Sequence, residues 1–301
     1  MHYRLPIAVL ALVVSSTHAS PAAEAPASPP GEGCAADAGW NDPAKPRRLY
    51  GNTWYVGTCG LSAILITSPE GHVLIDGTTE KAAPMIEESI AALGFKLGDV
   101  RYLLNSHEHL DHAGGIAQLQ RDSGATVVAR DQAAVILEQG KSDRSDPQFL
   151  TTGVFQPVAS VRRIASGETL VLGPITLQAH ATPGHTQGST SWTWKSCQSG
   201  RCLDIAYADS LTAISDEVYR YSDEAAHPGV LAEFRKTLVT VAGLPCDILL
   251  TPHPGASNLW PRVGPEATAP LVDPTACRRY ATTAGKNLDA RVAKESAEST
   301  P

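Results

Sequence analysis

Short apolar runs of strand character alternate along this chain with segments whose apolar positions recur at helical spacing. Residues 52–57 (NTWYVG), 62–67 (SAILIT) and 72–77 (HVLIDG) are rich in β-branched and aromatic side chains and are separated by Gly, Pro and Ser, which predicts three consecutive strands. Ala82, Ile86, Ile90 and Leu93 then recur at helical spacing and predict a helix. A strand over 100–105 (VRYLLN) runs into a histidine-rich loop and a helix opening at Gly114 and Gly115, and 125–130 followed by 131–139 repeats strand then helix. After a polar loop over 140–156 the pattern largely recurs. Residues 160–165, 168–181, 189–195 and 203–210 read as strands, Leu231, Phe234, Leu238 and Val241 as a helix, 246–252 (CDILLTP) as a buried strand, and Cys277, Ala281, Ala284 and Leu288 as a final helix. Two halves of similar make-up imply two sheets packed face to face, each covered by helices.

Composition narrows the functional classes. The chain has 301 residues, 43% of them hydrophobic, enough to bury a substantial core. A formal charge of -7 provides no basic footprint for phosphates, so nucleic acid is not expected as a partner. At the N-terminus one arginine, an apolar run from Leu5 to Val14 and small residues ending at Ala19 form a signal peptide over 1–19, which predicts export to the periplasm. That run is far shorter than the roughly 20 residues of a spanning helix, and no later segment is longer, so no membrane span is expected. Residues 20–33 are rich in Pro, Ala and Ser and are expected to be flexible, leaving one folded domain over 34–301. Six cysteines (Cys34, Cys59, Cys197, Cys202, Cys246 and Cys277) suit disulfides in an exported chain; spacing alone favours only a local bridge from Cys197 to Cys202 across the turn QSGR. With no heptad or apolar interface in view, a monomer is expected.

The densest chemistry lies in SHEHLDHAGG, residues 106–115. His107, His109, Asp111 and His112 follow an apolar strand and would project from the loop at its end. Imidazoles and carboxylates are good zinc ligands, but one tetrahedral ion cannot readily use all four, so the density implies two metals or one metal with bystanders. His185 beside Gly184, and His253 between two prolines, each follow an apolar strand and are expected to complete the coordination from loops at one sheet edge. His2, His18, His72, His180 and His227 sit in no motif and read as surface or hydrogen-bonded residues.

In this order, SHEHLDH, PGHTQGSTSW, YADSL and TPHPGAS resemble the metallo-β-lactamase superfamily, and most closely the class B β-lactamases of subclass B3. The resemblance runs from GWNDP near Trp40 to ACRRYA near Cys277. It implies an α/β fold, a four-layer αββα sandwich with the metal site at one edge of the two sheets. It further implies two zinc ions per chain, the first held by His107, His109 and His185, the second by Asp111, His112 and His253. The expected reaction is hydrolysis of the β-lactam amide of penicillins, cephalosporins or carbapenems by a hydroxide shared between the ions, conferring antibiotic resistance. Asp111 would both ligate and orient that hydroxide, and Ser210 and Thr212 would hydrogen-bond the substrate carboxylate; relatives often have serine where Thr212 stands. Ser210 discriminates within the superfamily, because other members resemble one another in placing an aspartate or cysteine ligand there, and a serine hydroxyl is a poor zinc ligand. The cysteines are similar to those of the three-disulfide AIM-type members, which implies pairs Cys34–Cys59, Cys197–Cys202 and Cys246–Cys277.

Other positions admit two readings. Glu108, between two ligands, is a structural or surface residue or else supports a ligand from behind. Asp76 ends a buried strand and either orients a ligand or caps a turn. The 140–156 loop could border a substrate groove through Gln148 and Phe149. A serine nucleophile is not expected, since neither GxSxG nor SxxK occurs. Two alternatives to a β-lactamase stand: another metallohydrolase of the same fold, such as a lactonase or thioesterase, and a non-catalytic zinc module. Structural zinc sites are closed by four protein ligands, which weighs against the module.

Overall fold

Strand alternation decides the layering. The computed structural model describes residues 1, 33–35, 37–265 and 267–298. The expected signal peptide and the flexible 20–33 segment therefore fall, apart from Met1 and Gly33, outside the described residues. Seven strands, β1 (Arg47–Tyr50), β2 (Thr53–Tyr55), β3 (Ile64–Ser68), β4 (Gly71–Ile75), β5 (Val100–Leu104), β6 (Thr126–Ala129) and β7 (Val161–Arg163), form the first sheet in sequence order. The second sheet holds β8 (Thr169–Leu172), β9 (Ile175–Ala181), β10 (Thr190–Gln198), β11 (Arg201–Tyr207) and β12 (Ile248–Leu250), also in sequence order. Each half of the chain thus builds one sheet.

In β3 and β4, Ile64, Ile66, Val73 and Ile75 point inward and meet Leu177, Trp192, Trp194, Ile205 and Tyr207 of the second sheet, while Leu65 and Leu74 point outward. The outward residues pack under α1 (Ala83–Ala92), α3 (Ile116–Ser123) and α4 (Asp131–Gln139), through Ile86, Ile90, Leu119 and Leu137. The same alternation in β11 and β12 turns Ile205, Ile248 and Leu250 inward and Ala206 and Leu249 outward. There α5 (Val230–Ala242) and α6 (Ala276–Glu298) cover them with Phe234, Val241, Ala281 and Leu288. The expected four-layer αββα sandwich results. Its largest fully buried side chain is Trp192, whose burial is worth on the order of 2–3 kcal/mol.

Strand direction places the site. β4, β5 and β6 run parallel, as do β11 and β12, and β9 shares the direction of β11 because both are antiparallel to β10. The segments following β4, β5, β9, β11 and β12 therefore cluster by sheet at one edge, and these carry Asp76, the 105–112 segment, His185, Ser210 and His253.

Local differences from the sequence reading have physical causes. β1 was not expected, since RRLY offers no alternation and only pairing with β2 defines it. Residues 168–181 divide into β8 and β9 at Gly173, whose φ of +56° suits glycine. A helix of four residues, α2 (Leu110–Ala113), lifts Asp111 and His112 out of the predicted loop, its first turn following His109 in extended conformation. All three implied disulfides are present: Cys34–Cys59, Cys197–Cys202 across the β10–β11 hairpin, and Cys246–Cys277, which ties the start of β12 to α6. Among the described residues no helix is long and apolar enough to cross a membrane.

Candidate metal centre

The histidine segment is held from beneath by the core. Trp192 Nε1 donates to Asn105 O at 3.0 Å, Asn105 Nδ2 donates to His107 O at 2.7 Å, and Thr190 N donates to Ser106 O at 2.7 Å. Asp76 adds a second anchor: its carboxylate accepts from Ser106 N at 2.7 Å, Ser106 Oγ at 2.6 Å and Tyr207 OH at 2.7 Å. Asp76 takes a φ of +64°, an unusual backbone state that the surrounding bonds hold in place. Its Oδ2 lies 3.8 Å from His112 Nδ1, beyond hydrogen-bond reach, so Asp76 anchors the 105–112 segment through Ser106 and does not bond that ring. Burial pushes the Asp76 carboxyl up to about 6, against the opposing effects of His112, Ser106 and Tyr207.

Glu108 is buried rather than at the surface. Its carboxylate accepts from Thr186 Oγ1 at 2.9 Å and Gly188 N at 3.0 Å, joining the 105–112 segment to the loop that carries His185. That loop is tightly packed. A Cβ on Gly188 would lie 2.5 Å from Glu108 Oε2, and one on Gly184 would lie 2.5 Å from the Phe234 ring, so both close approaches require glycine.

Around this scaffold the six predicted side chains converge. His107, His109 and His185 bring one ring nitrogen each within 4.8 Å of one another, and a ring nitrogen each of His107 and His112 and a carboxylate oxygen of Asp111 come equally close. His112 Nε2 lies 3.1 Å from Asp111 Oδ2, while His253 Nε2 lies 3.3 Å from both. His107 and His112 are fully buried, whereas the His253 side chain is 38% exposed and marks the open side. Trp40 flanks that side, its ring centroid 6.3 Å from that of His253.

Two groups that orient the rings were not anticipated. Asp209 Oδ1 accepts from His107 Nδ1 at 2.7 Å, and Asp146 approaches His109 Nε2 at 3.0 and 3.1 Å. No sequence signal marks Asp146; Asp209 stands beside Ser210 in YADSL, just beyond the end of β11. Thr212 is exposed, with its Oγ1 and its carbonyl each 3.0 Å from His185 Nδ1. Gln148 reaches within 3.5 Å of His185 Nε2, and Phe149 lies partly exposed beneath the Arg144 guanidinium, 5.4 Å from the ring centroid. Outside the motif, His180 Nε2 pairs with Thr193 Oγ1 at 2.8 Å and His227 stacks on Tyr219, whereas His72, read as a surface or hydrogen-bonded residue, is buried edge-on against Phe95 with its Nδ1 unpartnered.

The donor set fits a divalent metal. His107 Nε2 is buried without a hydrogen-bond partner while its Nδ1 is committed to Asp209, so a lone pair points into the centre with nothing from the protein to satisfy it. Burial, then the neighbouring imidazoles, hold His107 and His185 well below the usual histidine range, so both rings are neutral. Burial opposes ionisation of Asp111, but His112 and then His253 outweigh it and keep the carboxyl well below its usual range. Against burial, Asp146 raises His109 and Asp111 raises His112, so these two rings would release a proton on binding a metal, whose ligands are neutral imidazoles and ionised carboxylates.

The loops over the site are latched by Asp216. Its buried carboxylate accepts from Arg144 at 2.8 and 3.3 Å, from Leu150 N at 3.1 Å and from Val218 N and Tyr219 N at 2.9 Å, while its own amide donates to Pro147 O at 2.8 Å. Arg144, against a smaller effect of burial and with the help of those amides, holds this carboxyl well below the usual range. A depressed folded value stabilises the fold above the unfolded value of about 3.9 and is lost as pH falls through the folded one. Asp216→Asn is therefore expected to lower the urea midpoint at pH 7, with the gap from wild type narrowing below about pH 4. A gap that stays constant from pH 7 to pH 3 rules out the charge as its source.

A four-layer sandwich gathering five imidazoles and a carboxylate at one sheet edge defines a metal-dependent hydrolase centre. Residues 56–253 match the family model described as metallo-beta-lactamase superfamily, and the chain belongs to that superfamily. It is similar to the crystal structure of MEM-A1, a subclass B3 metallo-β-lactamase from a soil metagenome library, at 48% identity and a TM-score of 0.84, covering 86% of this chain and 100% of that one. The metallo-β-lactamase MIM-1 of Novosphingobium pentaromativorans is 48% identical, with a TM-score of 0.82 over 87% of this chain and 94% of that one. A probable metallo-hydrolase of Burkholderia pseudomallei (strain 1710b) is 32% identical over 141 residues, 43% of this chain and 46% of that protein. The chain thus spans about half the length of this curated relative.

Proposed function

We propose that the protein is an exported, zinc-dependent β-lactamase of subclass B3 type that opens the β-lactam amide and so confers antibiotic resistance. The observation that carries this reading is the Asp111–His112–His253 triangle, with contacts of 3.1 to 3.3 Å, standing beside the His107–His109–His185 cluster. With Ser210 where other superfamily members place a carboxylate or thiolate ligand, His112 supplies the extra donor for a second ion. The likeness to subclass B3 structures supports the same assignment. Six paired cysteines support an exported location.

His107, His109 and His185 would hold one zinc ion and Asp111, His112 and His253 the other. When bound, the two ions supply Lewis acidity and bring the pKa of coordinated water toward neutrality. The chain's own groups do the rest. Asp111 faces His112 and His253 through Oδ2, which leaves Oδ1 to accept a hydrogen bond from the attacking water and aim its lone pair at the carbonyl carbon. Thr212 Oγ1 accepts from His185, so its own proton remains free to donate to the substrate carboxylate, alongside Ser210. In the overall reaction the ring C–N bond breaks, the water oxygen joins the acyl carbon, and a water proton ends on the ring nitrogen.

Turnover of nitrocefin and imipenem, compared with an acyl-homoserine lactone and a glutathione thioester, tests the proposal. Hydrolysis of the β-lactams is expected. A protein that opens only the lactone or the thioester overturns it.

A further inference from the structure

The three imidazoles of the first cluster do not face it in the same way. His107 and His185 commit Nδ1 to the protein, to Asp209 Oδ1 at 2.7 Å and to Thr212 at 3.0 Å, and so present Nε2. His109 is reversed. Its Nε2 lies 3.0 and 3.1 Å from the two oxygens of Asp146, which leaves Nδ1 as the nitrogen it can offer. Both side chains of this pair are nearly inaccessible, at 6% and 7% exposure, so the contact is built into the fold.

Asp146 arrives from a loop held at several points. Asp146 N donates to Asp143 O at 3.1 Å, Phe155 N donates to Gly140 O at 2.9 Å, and Asp216 receives the loop's Arg144 side chain and Leu150 amide. The same Asp146 carboxylate accepts from Gln148 N at 2.8 Å, which aims the Gln148 side chain toward His185. One carboxylate therefore joins the covering loop to a ring of the metal cluster. An acceptor on one imidazole nitrogen fixes the tautomer and ring angle of the other, and loss of such an acceptor typically weakens metal binding by about 10–100-fold.

We propose that Asp146 is a positioning residue: it holds His109 in the Nε2–H tautomer with Nδ1 turned to the cation, and thereby couples the order of the 140–156 loop to affinity for the first zinc ion. This rests on the reading that His107, His109 and His185 hold a metal.

The test uses the full mature chain as wild type, Asp146→Ala and Asp146→Asn. Zinc affinity is measured by competition with a chromophoric chelator, without substrate, and the His109 tautomer by ¹⁵N–¹H correlation spectra of the zinc-free proteins. Asp146→Ala is expected to weaken one of the two zinc-binding steps by about 10–100-fold and to lose the Nε2–H signature of His109. Asp146→Asn keeps an acceptor oxygen, and is expected to recover part of the affinity and the Nε2–H tautomer. Wild type that binds no zinc refutes the metal-centre reading itself. Wild type that binds zinc, with an Asp146→Ala variant that binds it equally well and keeps the same tautomer, overturns only the role of Asp146, even if that variant melts earlier.

Discussion

His107→Ala is expected to lower kcat/KM for nitrocefin by more than about 100-fold, beyond the loss typical of removing a group that merely supports a ligand. The size of the effect follows from the position of this ring. His107 belongs to both donor triangles, so one substitution leaves neither intact. It is fully buried, with an Nε2 that has no partner within the protein. Its loss also strands Asp209, a buried carboxylate whose Oδ1 bond runs to His107 Nδ1 and whose Oδ2 has no partner. An unpartnered buried polar group costs about 1–3 kcal/mol, so the variant should also unfold earlier in urea. Zinc content by elemental analysis separates the two effects: less metal in a folded variant, judged by circular dichroism, attributes lost activity to the centre. A variant that keeps its zinc and turns over nitrocefin within tenfold of wild type excludes His107 as a ligand.

Removal of metal by EDTA should abolish β-lactam hydrolysis and destabilise the fold together, while clavulanate leaves activity unchanged. Clustered imidazoles and carboxylates that a cation no longer holds together lose the free energy its binding contributes to the native state. A ligand present at 100 times its Kd contributes about 2.7 kcal/mol, and 1 kcal/mol moves Tm by about 2–4 °C in a domain of this size, so calorimetry should show a fall of about 5–10 °C for one such ion. Readdition of zinc should restore both activity and Tm. Activity that survives exhaustive chelation removes the metal from the mechanism. Inhibition by clavulanate would instead point to a serine nucleophile, against the absence of GxSxG and SxxK.

Much of the architecture was legible because its signals are local. Ile64, Leu65 and Ile66 form a short, largely β-branched apolar run bounded by Ser and Thr, and Ile86 and Ile90 show helical spacing, whatever lies across from them. The convergent donor residues were legible for a related reason: donor chemistry belongs to the side chain, and HxHxDH compresses four donors into six positions. β1 was not legible, because Arg47 and Arg48 show no alternation and their strand state comes from pairing with Trp54 and Tyr55. Nor was α2, too short at four residues to show a period.

Which residues could coordinate a metal was thus written in the sequence, as was the two-sheet plan that would carry them. The tertiary structure alone decided which nitrogen each ring presents. Asp209 meets His107 across 102 positions and Asp146 meets His109 across 37, on loops that carry no periodic signal. A ring's tautomer is set by the acceptor that reaches it, and that acceptor comes into range only after both sheets and the loops above them have packed.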